Sequence, residues 1–194
     1  MELRVAPEWK TTAWLNTKEP LSLERLRGQV VVLHAFQMLC PGCVMRGIPQ
    51  AQRVFDTFVG APLSVVGLHT VFEHHEAMQL ASLKAFLYEY RITFPVGVDA
   101  PGLAGDPIPQ TMKAYAMRGT PTTVLIDAQG RIRQQIFGAH DDLQLGIELQ
   151  KLLHEAEASS VKDPRASGMV PREGAEGCSD DYCVVSEPPA SQAG

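Results

Sequence analysis

A nearly continuous apolar run at residues 30–36 leads into a pair of closely spaced cysteines. The run reads Val-Val-Val-Leu-His-Ala-Phe, and such a β-branched, apolar stretch predicts a strand buried on both faces, as in parallel sheets. Residues 44–58 have the character of a helix that is interrupted near Pro49, because proline costs a helix interior about 3 kcal/mol and kinks it. The segment Cys40-Pro41-Gly42-Cys43 therefore lies where a central strand passes into a helix.

The remaining segments alternate between strand and helix patterns. Strands are predicted at residues 63–69 and 94–98, and a hairpin at residues 122–137. Helices are predicted at residues 77–90, 110–117 and 141–155. The first of these helices carries apolar residues at helical spacing: Leu80, Leu83, Leu87 and Tyr90. The order β-α-β-α-β, a loop, and then a hairpin and a helix predicts an α/β domain with a mixed central sheet and helices on both faces.

The periodic pattern ends near residue 157. Residues 158–194 are dominated by Ser, Ala, Pro, Gly, Asp and Glu, with Tyr182 as their only aromatic residue. Such a segment buries too little apolar surface to offset the entropy of ordering it. We therefore predict a folded domain at residues 1–157 and a mostly disordered tail at residues 158–194, which carries Cys178 and Cys183.

The position of Cys40 and Cys43 favours redox chemistry over a metal site. Pro41 suits an early helical position, where its missing N–H costs nothing, so Cys40 is expected at the helix N-terminus. Unpaired N–H groups and the helix dipole there favour the thiolate, the form that attacks disulfides. Cys43, one turn further, is expected to be more buried and to resolve the mixed disulfide. A zinc site and an idle pair stay open as alternatives.

Two motifs resemble those of the thioredoxin superfamily. They are Cys40-Pro41-Gly42-Cys43 after a hydrophobic strand and Gly119-Thr120-Pro121-Thr122 before a hairpin. The N-terminal extension, residues 23–28 and a helix–strand insert are similar to the TlpA/ResA-type redoxins, which are AhpC/TSA-like. The resemblance implies a thioredoxin-like fold and a thiol–disulfide oxidoreductase. Its expected partners are protein or small-molecule disulfides and an unidentified electron donor, and it requires no cofactor.

The resemblance also implies roles for particular residues. Pro121 is expected to be a cis-proline that faces the dithiol and leaves the neighbouring backbone free to pair with an extended substrate. Leu39 replaces the tryptophan that usually precedes the first cysteine, and Arg46 stands where ResA-type proteins often have glutamate. Substrate preference is therefore expected to differ from that of familiar thioredoxins. The residues expected to bind substrate are Leu39, Pro41, Gly42, Gly119 and Thr120.

His34 occupies the position, six residues before the first cysteine, at which thioredoxins carry a buried acid. A neutral imidazole there is expected to accept the proton of Cys43 during resolution, as a general base. Burial would lower the pKa of the imidazole, which weakens it as a base but keeps it neutral. The alternative is a strand histidine bonded to a backbone carbonyl or facing outward.

Two other functions remain open from the sequence. A thiol peroxidase of the redoxin family is one, although Gln37 stands where peroxiredoxins place the threonine that orients peroxide. The other is a non-catalytic, metal-binding protein that holds zinc or copper with its four cysteines, His69 and His74. His74, His75, Glu73 and Glu76 are instead expected at the start of a helix, where the carboxylates suit the dipole.

Cys178 and Cys183 form a second pair, which is either incidental or an auxiliary redox pair. A tether of roughly 20 residues has a random-coil span of about 25 Å. That span is expected to let the pair reach Cys40 at millimolar effective concentration.

The charge and hydropathy of the chain limit the classes of partner that it is expected to bind. A formal net charge of -5 argues against nucleic acid as a partner. No stretch approaches the ~20 consecutive apolar residues that cross a bilayer, so no membrane association is expected. The N-terminal residues lack the pattern of a signal peptide, which predicts a cytoplasmic protein, or a periplasmic one if a signal has been removed.

Overall fold

The computed structural model describes residues 3–160, in which a mixed sheet lies between helices. Its strands are β1 (Thr11–Leu15), β2 (Val30–Phe36), β3 (Leu63–His69), β4 (Val96–Asp99), β5 (Thr122–Ile126) and β6 (Ile132–Phe137). Its helices are α1 (Ile48–Thr57), α2 (Leu80–Glu89), α3 (Gln110–Ala114) and α4 (Asp142–Ser160), with a π-helical turn at Cys43–Gly47 and a 3₁₀ turn at Leu103–Gly105. Within the described residues the sheet order is β1-β4-β3-β2-β5-β6. The predicted α/β class is confirmed.

The central position of β2 determines which segments meet at one edge of the sheet. Every residue of β2 is buried, as its β-branched sequence predicts. β2 runs parallel to β3 and antiparallel to β5, with Phe36 opposite His69 and Ala35 opposite Thr122. The C-terminal ends of β2 and β3 and the N-terminal end of β5 therefore share an edge. This edge brings the segment containing Cys40 next to the segment containing Pro121.

Two hydrophobic cores cover the two faces of the sheet. One packs α1, α2 and α4 against the sheet and includes Val54, Leu83 and Leu149. The other packs α3 and the N-terminal segment and includes Trp9 and Met112. Helices therefore lie on both faces, as predicted, and both cores support β2.

The start of α2 differs from the prediction. Residues 75–78 form a turn after His74, which adopts a φ of 50°, and α2 begins at Leu80. The sequence pattern predicts Glu73 and Glu76 at a helix N-terminus. This prediction is wrong, because both residues precede α2. A non-glycine residue in the left-handed region breaks helical hydrogen bonding, and the segment 72–78 instead forms a wall near the dithiol.

The apolar pattern and the end of a second helix also need correction. Leu83 and Leu87 are buried in α2, but Leu80 and Tyr90 are 40% and 56% exposed. The helix predicted to end at residue 117 ends at Ala114, because Ala116 adopts a φ of 51°.

The predicted hairpin and final helix are both present. β5 pairs with β6 in antiparallel register, and α4 continues past the predicted end at residue 155 to Ser160. Its predicted core residues are all buried: Leu145, Leu149, Leu152 and Leu153. The predicted tail, with Cys178 and Cys183, lies outside the described residues from 161 onward, so the domain boundary stays a prediction. Among residues 3–160 no helix has the length and apolar content needed to cross a membrane.

Candidate active site

Cys40 is the N-cap residue of the helix that begins at residue 41. Its carbonyl accepts a hydrogen bond from the Val44 N–H at 3.1 Å, and its Sγ accepts one from the Cys43 N–H at 3.3 Å. An N-cap side chain usually accepts from the third helical residue in this way, and here the acceptor is sulfur. Pro41 takes the first helical position. The sequence-predicted placement of Cys40 at a helix N-terminus agrees with this geometry.

Cys43 differs from Cys40 in exposure. Both are free thiols, but Cys40 is partly exposed and Cys43 is fully buried. Burial, reinforced by the hydrogen bond with Cys40, raises the pKa of Cys43 to about 12, although the Gln37 backbone and Thr120 act in the opposite direction. The pair therefore combines one accessible sulfur with one protonated, enclosed sulfur a single turn away.

The helix after the dithiol contains a π-helical turn where the sequence predicts an interruption. The Ile48 N–H donates to the Cys43 carbonyl, five residues earlier. Pro49, which has no N–H to donate, lies in the first turn of α1. The widened turn accommodates the proline without ending the helix. It also places Gly47 on the side of the helix that faces Pro121.

The Thr120–Pro121 peptide bond is cis, and Pro121 packs against the start of the helix. A Cβ atom added to Gly42 would lie 3.3 Å from Pro121 Cδ, and one added to Gly47 would lie 3.0 Å from Pro121 Cβ. Two glycines therefore permit the close approach of helix and proline. The Cys40 thiol lies 3.5 Å from the Thr120 carbonyl oxygen, to which it donates. The dithiol and the proline segment thus form one surface.

A cavity of about 510 Å³ opens beside Cys40, and we call it the groove. Four of the five residues expected to bind substrate line it: Leu39, Pro41, Gly119 and Thr120. Gly42 is not among the lining residues and packs on Pro121 instead. Leu39 is 54% exposed. The other walls are the segment after β3, which contributes Phe72 and Met78, and the side chains of Arg118 and Phe137.

His34 faces a different cavity, of about 450 Å³, which shares no lining residue with the groove. Its Nδ1 lies 3.3 Å from Thr123 Oγ1, and its Nε2 has no hydrogen-bond partner among the described residues. Burial, and after it the charge of His140, lowers the pKa of His34 to about 4. His34 is therefore a neutral imidazole near pH 7, as expected for this buried position.

The His34 ring packs under the helix, one turn beyond Cys43. A Cβ added to Gly47 would lie 2.5 Å from His34 Cε1 and 2.7 Å from Nε2, so Gly47 covers the imidazole. The neighbouring residues that shift the pKa of Cys43 are Cys40, Gln37 and Thr120. His34 is not one of them. The structure therefore places His34 beneath the helix at Gly47, with neither ring nitrogen hydrogen-bonded to the Cys43 sulfur.

The other candidate residues do not assemble into a second site among residues 3–160. His69 is buried against Phe36, with ring centroids 5.3 Å apart, whereas His74 is exposed on the groove. In that part of the chain no three His, Cys, Asp or Glu side chains are placed to hold a metal ion. Gln37 is buried, and its amide bonds to Glu73 and to the Phe72 N–H, each at 3.3 Å. It thereby ties the segment before Cys40 to the wall of the groove.

The sequence pattern did not single out several residues of these two cavities. Arg118 and Phe137 line the groove, and His140 and Gly47 line the cavity at His34. Gly47 had a signal, since a glycine beside a proline inside a helix pattern indicates a close contact or a kink. The others lie in loops and at a strand end, where periodicity carries no information.

Comparisons of sequence and structure place this site in a known family. The model of the AhpC/TSA family matches residues 4–135. DipZ of Mycobacterium bovis is 30% identical over 165 residues, which are 84% of this chain and 22% of DipZ. The chain thus spans about a fifth of the length of that relative. The thiol-disulfide oxidoreductase ResA of Bacillus thuringiensis is 24% identical over 132 residues, 68% of each protein.

Solved structures share the same arrangement. A thioredoxin-like superfamily protein is 56% identical, with a TM-score of 0.75 over 77% of this chain and 96% of that chain. A thiol-disulfide isomerase from Corynebacterium glutamicum is 50% identical, with a TM-score of 0.72 over 76% of this chain and 96% of that chain. The predicted thioredoxin-like fold is confirmed. The chain belongs to the AhpC/TSA family, as a redoxin of the TlpA/ResA type.

Proposed function

We propose that this chain exchanges thiols and disulfides with protein or small-molecule substrates, with Cys40 as nucleophile and Cys43 as resolving thiol. The observation that carries the proposal is the partly exposed Cys40 sulfur at a helix N-cap, with a buried thiol one turn behind it. The cis bond before Pro121 and the groove beside Cys40 supply a place for an extended substrate. The relatives named as oxidoreductases and isomerases support the same chemistry.

The reaction balances in two exchange steps. The Cys40 thiolate attacks one sulfur of a substrate disulfide, which breaks that bond, forms a mixed disulfide and releases the first substrate thiolate. Cys43 then loses its proton and attacks Cys40 Sγ, which forms the Cys40–Cys43 disulfide and releases the second thiolate. The substrate gains two electrons and, from solvent, two protons, and the dithiol loses the same number. An electron donor that reduces the new disulfide completes the cycle, and the reverse sequence oxidises a substrate dithiol.

The substitution Cys43→Ser is expected to trap substrates as mixed disulfides. Without the resolving thiol, the bond between Cys40 and the substrate persists. The variant, with Cys178 and Cys183 also replaced by serine, is mixed with intact insulin, whose chains are joined by disulfides, and the products are measured by non-reducing mass analysis. The matched control is Cys40→Ser in the same background, which is expected to trap little, because its remaining thiol is buried. Equal adduct yields in the two variants would contradict the assignment of nucleophile and resolving thiol.

The role of the second cysteine pair is tested in the same system. We propose that Cys178 and Cys183 act as an auxiliary redox pair for Cys40. In Cys43→Ser whose tail pair has first been oxidised to a Cys178–Cys183 disulfide, the Cys40 thiolate is expected to attack that bond, which forms a Cys40–Cys178 or Cys40–Cys183 cross-link within one chain and releases the other tail thiol. Free thiols or a cross-linked dimer instead would count against the relay.

We also propose that His34 handles the proton that Cys43 releases. Cys43 has a raised pKa and needs a proton acceptor, whereas His34 is neutral, unpaired at Nε2 and one turn away beneath the same helix. Its cavity opens to solvent beside Arg46 and His140, so a proton has a route out. A pKa near 4 makes His34 a weak base, and its role is therefore to accept the proton transiently during the attack.

His34→Gln is expected to slow resolution at least about tenfold at pH 7, with recovery at higher pH as hydroxide replaces the imidazole. The measurement is the second phase of thionitrobenzoate release from a disulfide reagent, which follows attack by Cys43. His69→Gln is the matched control, since burial also lowers the pKa of His69 to about 4 but His69 lines neither the groove nor the cavity at His34. An unchanged second phase and pH profile in His34→Gln would remove the catalytic role.

A stability measurement checks that the two histidine variants are matched. Folding lowers the pKa of both imidazoles from 6.5 to about 4, so the folded state favours the neutral form. Their contribution to the free energy of unfolding is present above pH 6.5 and is lost as the pH falls toward 4. Each glutamine variant is therefore expected to reduce the acid sensitivity of folding by a similar amount.

Peroxide reduction is the second candidate, because the matching family model covers AhpC/TSA proteins. The amide of Gln37 is engaged by Glu73 and Phe72, so the hydroxyl that orients peroxide in peroxiredoxins has no counterpart there. Hydrogen peroxide consumption and insulin reduction, measured on one preparation, separate the two activities.

A cytoplasmic location stays a prediction.

A further inference from the structure

Arg118 presents an unpaired positive charge at the groove. Its side chain is exposed and makes no ion pair or hydrogen bond with the residues that the structure describes. Arg53, by contrast, pairs with Asp142. The Arg118 guanidinium lies 5.5 Å from the ring centroid of Phe137, a distance typical of a cation–π contact. Phe137 in turn packs on Gly119, where an added Cβ would lie 3.0 Å from Phe137 Cε2. The charge is therefore held above a fixed aromatic surface.

The charges that line the groove leave Arg118 without compensation. Glu73 is the only carboxylate among the groove residues, and its Oε1 accepts a hydrogen bond from Gln37 Nε2 at 3.3 Å. Glu73 follows β3 and Arg118 precedes β5, and β2 lies between these two strands. The two charges therefore belong to walls on either side of the Cys40 segment. A substrate side chain beside Arg118 meets a cation with no internal counter-charge.

The position of Arg118 relative to Cys40 determines which substrate residue lies beside Arg118, counted from the attacked cysteine. Cys40 Sγ lies 3.5 Å from the Thr120 carbonyl oxygen, so a substrate sulfur attacked by Cys40 passes close to Thr120. Arg118 precedes Thr120 by two residues. In an extended peptide, residues two apart point to the same side and are separated by about 6.8 Å. The Cα of Arg118 lies at most about 7 Å from that of Thr120, so an extended substrate reaches Arg118 with a residue about two positions from the attacked cysteine.

We propose that the groove selects extended, disulfide-bearing peptides with an acidic side chain two residues from the attacked cysteine, and that Arg118 binds this carboxylate. The inference rests on the proposed function and specifies its substrate class. The electrons and protons move as in the two exchange steps given above, and Arg118 takes no part in them. Arg118 is a specificity determinant that acts on substrate binding.

The test compares three five-residue peptides, each with a central cysteine flanked by alanines and with Asp, Ser or Lys at both ends. Each peptide is used as its disulfide-linked dimer, so that either sulfur and either chain direction present the same residue. The reduced, full-length protein is mixed with each dimer, and the second-order rate constant for peptide thiol release is measured. We expect the Asp peptide to react at least about fivefold faster than the Lys peptide at low salt, and the ratio to fall as salt is raised.

The net charge of the protein makes this preference diagnostic. The formal net charge is -5, so long-range attraction alone would favour the Lys peptide. Arg118→Gln is expected to abolish the preference for Asp, and Arg118→Glu is expected to reverse it. Lys84→Glu is the matched control, because it changes the net charge equally but Lys84 is exposed on α2 and does not line the groove, and it is expected to keep the preference.

The possible outcomes test the role of Arg118 and the proposed function separately. Equal rates on the three peptides, or an Asp preference that survives in Arg118→Glu, would overturn the inference and leave the proposed function intact. Equal effects of Arg118→Glu and Lys84→Glu would also overturn it, because the effect would then come from net charge. Failure to reduce any of the peptides, together with insulin, would overturn the proposed function itself. Unchanged thermal unfolding of each variant shows that the differences do not arise from destabilisation.

Discussion

Iodoacetamide is expected to alkylate Cys40 at least about a hundredfold faster than Cys43 in the reduced, native protein at pH 7. Cys43 is fully buried, and burial raises its pKa to about 12. At pH 7 Cys43 is therefore a protonated thiol, and its burial keeps the reagent from the sulfur. Cys40 is partly exposed on the groove. Quenched time courses with peptide mass analysis give the two rates separately.

Unfolding supplies the control for this experiment. In urea both cysteines lose their surroundings, so their rates are expected to converge. Labelling of Cys43 is expected to become appreciable only in urea, because unfolding exposes its sulfur. A native Cys43 that is labelled as fast as Cys40 would contradict the division of roles between the two sulfurs.

The sequence predicts most of the fold because strong local patterns and burial agree there. The apolar run of β2 and the leucines of α4 have one reasonable placement each, since a run buried on both faces needs the centre of a sheet. The sequence pattern predicts less well where the backbone conformation of one residue determines where a helix begins or ends. His74 and Ala116 both adopt a positive φ, which neither residue type favours. The predicted helix boundaries near these two residues are therefore wrong.

The residues of the candidate site also fall into those that the sequence predicts and those that it does not. Cys40, Cys43 and Pro121 belong to short motifs, and the motifs indicate both their chemistry and their neighbours. Arg118 and His140 reach their cavities through loops and chain reversals, so their positions depend on tertiary packing that no periodicity encodes. His34 shows the limit of an argument from spacing. The spacing correctly indicates a buried, neutral imidazole but does not show that it faces a second cavity rather than the Cys43 sulfur.

Gly47→Ala is expected to lower the free energy of unfolding by about 1–3 kcal/mol, the range for overpacked interiors. The new Cβ would lie 2.5 Å from His34 Cε1 and 3.0 Å from Pro121 Cβ. Alanine favours a helix over glycine by about 1 kcal/mol, but a contact under 3 Å with a buried ring forces displacement and outweighs that gain. The displaced groups are the imidazole and the cis-proline, so the rate of disulfide exchange is also expected to fall. Chemical denaturation and insulin reduction measure the two effects.

A second glycine separates helix propensity from steric contact. Gly146 lies in α4, and a Cβ added there meets no atom within 4 Å. Gly146→Ala is therefore expected to raise the free energy of unfolding by about 0.5–1 kcal/mol, with unchanged activity. Opposite signs at the two positions are expected from the contacts alone. The same sign at both would mean that the close approach at Gly47 relaxes without cost.

The steric partner of residue 47 is identified by a double-mutant cycle with His34→Ala. Removing the imidazole empties the space that the new methyl group would enter, so Gly47→Ala is expected to cost at least about 1 kcal/mol less in that background. The contact with Pro121 persists in the double variant, so Gly47→Ala is expected to slow disulfide exchange further when the double variant is compared with His34→Ala alone. Additive effects on stability would show that His34 does not oppose the methyl group. An exchange rate equal to that of His34→Ala would show that the imidazole, and not the proline, transmits the substitution to the dithiol.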